Sequence, residues 1–130
     1  MSFRGKGKEQ DVIYALSGVV TTSLNGYIRL GSFIIDDALY LNPTASIEVV
    51  LEDSNSNWCD IRLYDVTGMA VVDADPLVST QSATPALATT AFTLSSGATL
   101  YELQMKMRGG VAPDTVLCSS ARVTIRHDGF

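Results

Sequence analysis

Within residues 99 to 108 the side chains alternate without a lapse from Tyr101 onward. Tyr101, Leu103, Met105 and Met107 are apolar, while Glu102, Gln104, Lys106 and Arg108 are polar. Successive side chains on an extended strand leave from opposite faces, so the stretch predicts a strand with one dry face and one wet face. A helix would scatter the same residues around its circumference. Such a strand cannot stand alone, because its dry face needs neighbours and a second layer to cover it. The end of the chain repeats the rhythm, with Leu117, Ser119, Ala121, Val123 and Ile125 set against Cys118, Ser120, Arg122, Thr124 and Arg126. These two stretches are expected to pair as neighbouring antiparallel strands.

More strands follow from the same period. Residues 11–16 are apolar on both sides and read as a buried strand in preference to a short helix. Ala45, Ile47, Val49 and Leu51 alternate with Ser46, Glu48, Val50 and Glu52, and Cys59, Ile61 and Leu63 with Asp60, Arg62 and Tyr64. Asn25-Gly26 between two β-rich runs signals a two-residue hairpin, with Ser23 facing Ile28 and Thr21 facing Leu30, because a type I′ turn needs positive φ at both central residues. Asp36-Asp37-Ala38 breaks a run, and Asn42-Pro43 is expected to be a turn. Asp53-Ser54-Asn55-Ser56-Asn57 reads as a polar loop and Asp65-Val66-Thr67-Gly68 as a type I turn. Residues 73–98 have the weakest pattern, with Pro76, Pro85, many Ser, Thr and Ala residues, and no charge after Asp75. A structureless loop of that length is unusual inside a domain, so at least one edge strand is expected there. The sum is an all-β chain, an antiparallel β-sandwich of jelly-roll-like form with eight or nine short strands.

A chain of 130 residues is the size of one domain, expected over residues 11–130 behind a flexible N-terminal arm of residues 1–10. Arg4, Lys6 and Lys8 put a third of the nine cations on that arm. The ordinary reading is a solvated terminus; the sharper one is an arm that lies against an acidic neighbour, such as another copy of this chain. The formal net charge of −5 and the scatter of the remaining cations argue against nucleic acid as a partner. Glu9 and Asp11 interrupt the start of the apolar run 12–20, Ser17-Gly18 breaks it, and no small-x-small cleavage site follows clearly, so no secretion signal is expected. No run approaches the roughly 18 apolar residues of a membrane span. Cys59 and Cys118 each fall in or beside a predicted strand and are expected to be free, buried thiols, although a disulfide between them is compatible with the sequence.

The sequence offers no catalytic group, metal site or cofactor-binding motif. His127 is the single histidine and lies three residues from the end, where fraying is expected, whereas nucleophilic catalysis needs a held imidazole. Asp53-x-Asn55-x-Asn57 opens like a calcium loop, but Trp58 stands where that loop needs Gly and Tyr64 where it needs a bidentate Glu. Asp36-Asp37 and Asp73-Ala74-Asp75 are read as solvated loop acids. Glu48, Glu52 and Glu102 fall on outward strand faces, and paired-carboxylate hydrolysis would require two of them to converge. Trp58 and Tyr64 remain as aromatic side chains able to stack on a sugar ring.

The stretch Leu100-Tyr101-Glu102-Leu103-Gln104-Met105-Lys106, a Gly-rich loop, and Ser120-Ala121-Arg122-Val123-Thr124-Ile125 together resemble the closing hairpin of jelly-roll sandwiches. Such hairpins occur in head-decoration and virion accessory proteins of tailed phages and in carbohydrate-binding modules. The resemblance covers about thirty residues and implies one of two jobs. The first is a non-enzymatic capsid decoration or head-accessory protein, located in the virion after assembly in the host cytoplasm, which forms a homo-oligomer such as a trimer and binds a larger shell; Arg4, Lys6 and Lys8 would be its partner-binding residues. The alternative is a carbohydrate-binding module or lectin-like adhesin that grips a glycan with Trp58 and Tyr64. An enzyme working through Glu48 and Glu102 ranks third.

Overall fold

The computed structural model describes residues 9–16 and 18–128. Ten strands lie among them, β1 (Glu9–Leu16), β2 (Val20–Thr22), β3 (Ile28–Asp36), β4 (Leu41–Asp53), β5 (Trp58–Asp65), β6 (Ala70–Val71), β7 (Val78–Thr80), β8 (Ala86–Phe92), β9 (Ala98–Arg108) and β10 (Val116–Asp128), with one short 3-10 turn at Asp37–Leu39. They form two five-stranded sheets. The first runs β1-β10-β4-β8, with β2 also on β10; the second runs β3-β9-β5-β6, with β7 also on β5. Every pairing is antiparallel. The connections β2–β3, β3–β4, β4–β5, β7–β8, β8–β9 and β9–β10 all cross from one sheet to the other. That is the order of a jelly-roll sandwich.

The alternating stretches do what their period requires. Ile47, Val49 and Leu51 of β4, Cys59, Ile61 and Leu63 of β5 and Tyr101, Leu103, Met105 and Met107 of β9 are wholly buried between the sheets. At one end of this core Phe33 stacks on Tyr101 with ring centroids 5.4 Å apart, and Phe92 meets Tyr101 edge-on at 5.9 Å. Residues 73–98, weakly patterned in sequence, hold β7 and the edge strand β8.

Pairing differs from the sequence expectation in four places. First, β9 and β10 are not neighbours: β9 lies between β3 and β5, and β10 between β1 and β4, in opposite sheets. The resembling segment is therefore a crossover with a Gly-rich link, and alternation reported which face each strand buries without reporting its partner. Second, Asn25-Gly26 is no hairpin. Neither residue has positive φ, β2 pairs with β10 and β3 with β9. The Asn25 amide instead donates to the Met107 carbonyl oxygen at 2.7 Å, and the Met107 N–H donates to the Leu24 carbonyl oxygen at 2.9 Å. Third, Asn42-Pro43 lies within β4 rather than ending a run. Leu41 partners Asp128 and Thr44 partners Arg126, so two residues face His127 alone in a bulge, with Asn42 at φ 50°. Pairing of β4 with β8 begins only at Ala45, so proline's missing N–H leaves no gap in that ladder. Fourth, a bulge at Ser119 reverses the parity of β10. Val116 and Cys118 face the core before it; Ala121, Val123, Ile125 and His127 face it afterwards. His127 is thus buried in the sheet rather than frayed, with its ring 4.9 Å from that of Tyr40.

Candidate functional site

Two outer sheet faces and one loop end carry the polar side chains. On the face of the second sheet, β5 turns Trp58, Asp60, Arg62 and Tyr64 outward, and β9 sets Arg108, Lys106, Gln104 and Glu102 directly beside them. The β2–β3 link adds Tyr27 and the segment before β7 adds Asp75. Arg62 donates to Gln104 Oε1 at 2.5 Å and to Asp75 Oδ2 at 3.3 Å, and the Tyr27 hydroxyl donates to Asp75 Oδ1. Arg108 donates to Asp60 Oδ2 at 2.8 Å, while Ser79 donates to Asp60 Oδ1 at 2.6 Å. The Asp60 carboxylate is sealed by these contacts, with 1% of its side chain exposed.

The rings on this face already have cationic partners. The Arg62 guanidinium carbon sits 4.1 Å from the Tyr27 centroid and 5.7 Å from that of Tyr64; Lys106 Nζ is 4.8 Å from Tyr27, and the Arg108 guanidinium carbon is 4.8 Å from Trp58. These are cation–π distances. Burial and then the Asp75 carboxylate push the Tyr27 hydroxyl far up, and the hydrogen bond from Tyr27, followed by that from Arg62, pulls Asp75 below the usual carboxylate range. Such a network clamps two connecting segments onto the sheet. Trp58 and Tyr64 do share a face, but each has one side of its ring taken by a guanidinium. Tyr27, Arg62, Lys106 and Asp75 were invisible as a group in the sequence, because Tyr27 followed an apparent hairpin turn and Asp75 opened the unpatterned stretch.

On the outer face of the first sheet, Arg122 pairs with Glu48, and Arg126 donates to Asp11 at 3.0 Å. Between them lies an open trough of about 440 Å³ lined by Thr44, Ser46, Thr89, Thr124 and the two ion pairs. Glu48 and Glu52 project from this sheet and Glu102 from the other, so Glu102 cannot converge with either across a cleft. Glu48 and Glu52 are four residues apart on one strand, about 13 Å.

The β4–β5 loop does not assemble calcium ligands. The Asn55 and Asn57 amides both donate to Asp114 Oδ2, at 3.2 and 3.1 Å, which ties this loop to the β9–β10 link. Gly110 completes the junction: its φ is +73°, and a Cβ there would lie 2.5 Å from Asn57 Oδ1. Asp53 is buried and both its oxygens lack a hydrogen-bond partner. Burial raises its pKa, partly offset by the backbone N–H groups of Ser82 and Asn57 that point toward it. Among the described residues no three His, Cys, Asp or Glu side chains converge as metal ligands. Cys59 and Cys118 are free and buried; desolvation, with Cys118 nearby, pushes the Cys59 thiol up to about 12. His127 Nδ1 lies 2.9 Å from the Asp128 carbonyl oxygen. Arg4, Lys6 and Lys8 lie outside the described residues, and β1 begins at Glu9. No helix among the described residues is long and apolar enough to cross a membrane.

No protein-family model and no curated protein sequence matches the chain. Solved structures do. A structure of the Gx strain of infectious bursal disease virus superposes with a TM-score of 0.63 at 13% identity, covering 95% of this chain and 34% of that one. The VP2 subviral particle of the same virus gives 0.63 at 13% identity over 94% and 33% of the two chains, and the Gt strain 0.53 at 17% over 92% and 34%. The chain spans about a third of the length of these structures. At such identities the likeness is one of fold, and the two sheets described above are a β-sandwich shared with a chain of a virus particle.

Proposed function

We propose that the chain is a non-enzymatic structural subunit of a virus particle, acting through surface contact. The observation that carries this reading is the fold shared over more than nine-tenths of the chain with the VP2 subviral particle. The charge-free run 76–101 supports it, since the centres of subunit interfaces are depleted in charge. The finer form of the reading is a head-decoration or accessory protein of a tailed phage, present in the virion, forming a closed oligomer such as a trimer and seated on a larger shell. Arg4, Lys6 and Lys8 would extend from Glu9 to the acidic surface of a neighbouring copy.

Light scattering on the purified chain and mass spectrometry of purified particles from its source test this. An oligomer that weakens when residues 1–8 are deleted, together with the chain's presence in particles, is the expected result. A monomer absent from every particle would remove the proposal. The second reading, glycan binding, rests on Trp58 and Tyr64 sharing one face of β5, with Trp58 36% exposed. Affinity gels run with wild type and Trp58→Ala separate it from the first: retention of the wild type alone would favour glycan, and retention of neither would eliminate it.

A further inference from the structure

Four edges border the two sheets, and three carry a feature that discourages further pairing. β1 presents Asp11, paired with Arg126. β3 carries Arg29 and Asp36 and is bent by a bulge between Arg29 and Gly31. β6 and β7 are only two and three residues long. The fourth edge, β8, has none of these. Its seven residues, Ala-Leu-Ala-Thr-Thr-Ala-Phe, include no charge, Pro or Gly and pair with β4 through seven successive partners without a register shift. Among the described residues no strand pairs with its other side. Outward N–H and C=O groups along a straight, neutral edge are a template for another strand.

We infer that the free edge of β8 pairs antiparallel with β8 of a second copy, joining two first sheets across a two-fold axis. The inference rests on the reading of the chain as a self-associating subunit and names a two-fold contact for it, which makes the basic unit a dimer rather than a trimer. A two-fold antiparallel pair sets the strand against itself, so any charge near its centre would meet its own kind. Centred on Thr89, the pairing places Leu87 opposite Ala91 on the outer face, and Ala88 opposite Thr90 and Ala86 opposite Phe92 on the inner one. These three combinations, and Thr89 opposite itself, are uncharged and keep outer residues with outer and inner with inner. Leu87, 67% exposed, gains an apolar neighbour. Copies of a chain with net charge −5 repel, and the neutral edge lets backbones meet without opposing carboxylates.

The test is sedimentation of the whole chain over a dilution series, with two variants. Wild type is expected at a mass at least twice that of the monomer, falling on dilution. Thr89→Lys sets two ammonium groups against each other at the axis and should give a monomer with an unchanged circular dichroism spectrum. Thr89→Cys should form a disulfide-linked dimer on mild oxidation, which the buried native thiols do not. A wild-type assembly that survives Thr89→Lys, with no cross-link through position 89, overturns the edge pairing and leaves the shell reading intact. A wild type that is monomeric at every concentration and uncrosslinked as Thr89→Cys overturns both the pairing and self-association.

Discussion

Asp53 closes β4 with both carboxylate oxygens shut from water and no hydrogen-bond partner. A buried group in that state costs about 1–3 kcal/mol. Asp53→Asn keeps the shape and removes the charge, so it should stabilise the fold by about 1 kcal/mol at neutral pH, read as a higher urea midpoint. The pH dependence has a definite sign. Because the folded-state pKa of Asp53 is raised, the penalty is absent below the unfolded value of about 4 and appears as pH rises through the folded one. The gap between variant and wild type should therefore close in acid; a gap that is constant with pH would show that the charge is not responsible. The two thiols offer a second test at this scale. Cys59 and Cys118 are buried and their pKa values are raised by desolvation, so both should resist a thiol reagent at pH 8 and react together only on unfolding.

Among the elements, β9 was the most legible and β10 the most misleading. Period-two alternation in β4, β5 and β9 identified their buried residues, because a pleated strand leaves no other choice of face. Partner choice is not written in that period. It depends on how links of several residues cross between layers, and here Asn25 and the residues after Arg108 bridge sheets instead of turning back. Bulges were equally silent: Ser119 and Asn42-Pro43 each add a residue whose effect appears only against the facing strand. The polar network of Tyr27, Arg62, Lys106 and Asp75 was lost for the same reason, as four separate elements supply it. Face assignments are directly testable. Leu103→Ala, emptying a wholly buried site in β9, should cost about 2–5 kcal/mol, whereas Leu87→Ala on exposed β8 should stay within about 0.5 kcal/mol for the monomer. Equal effects in chemical denaturation would contradict the assigned faces.

For the whole molecule, the placement of β10 matters most. It is the last of the described strands yet occupies the interior of the first sheet, holding β1 and β2 on one side and β4 on the other. Removal of residues 116–128 should therefore abolish cooperative unfolding altogether, a loss visible in near-ultraviolet circular dichroism, rather than leave a trimmed sandwich. The same placement governs biosynthesis. While a ribosome is still adding β10, β1 and β4 have no common partner and their greasy faces stay open, so the nascent chain cannot acquire its tertiary structure piecemeal. The two sheets would then close in one all-or-none event, and a chain cut short before residue 116 would keep those apolar faces exposed.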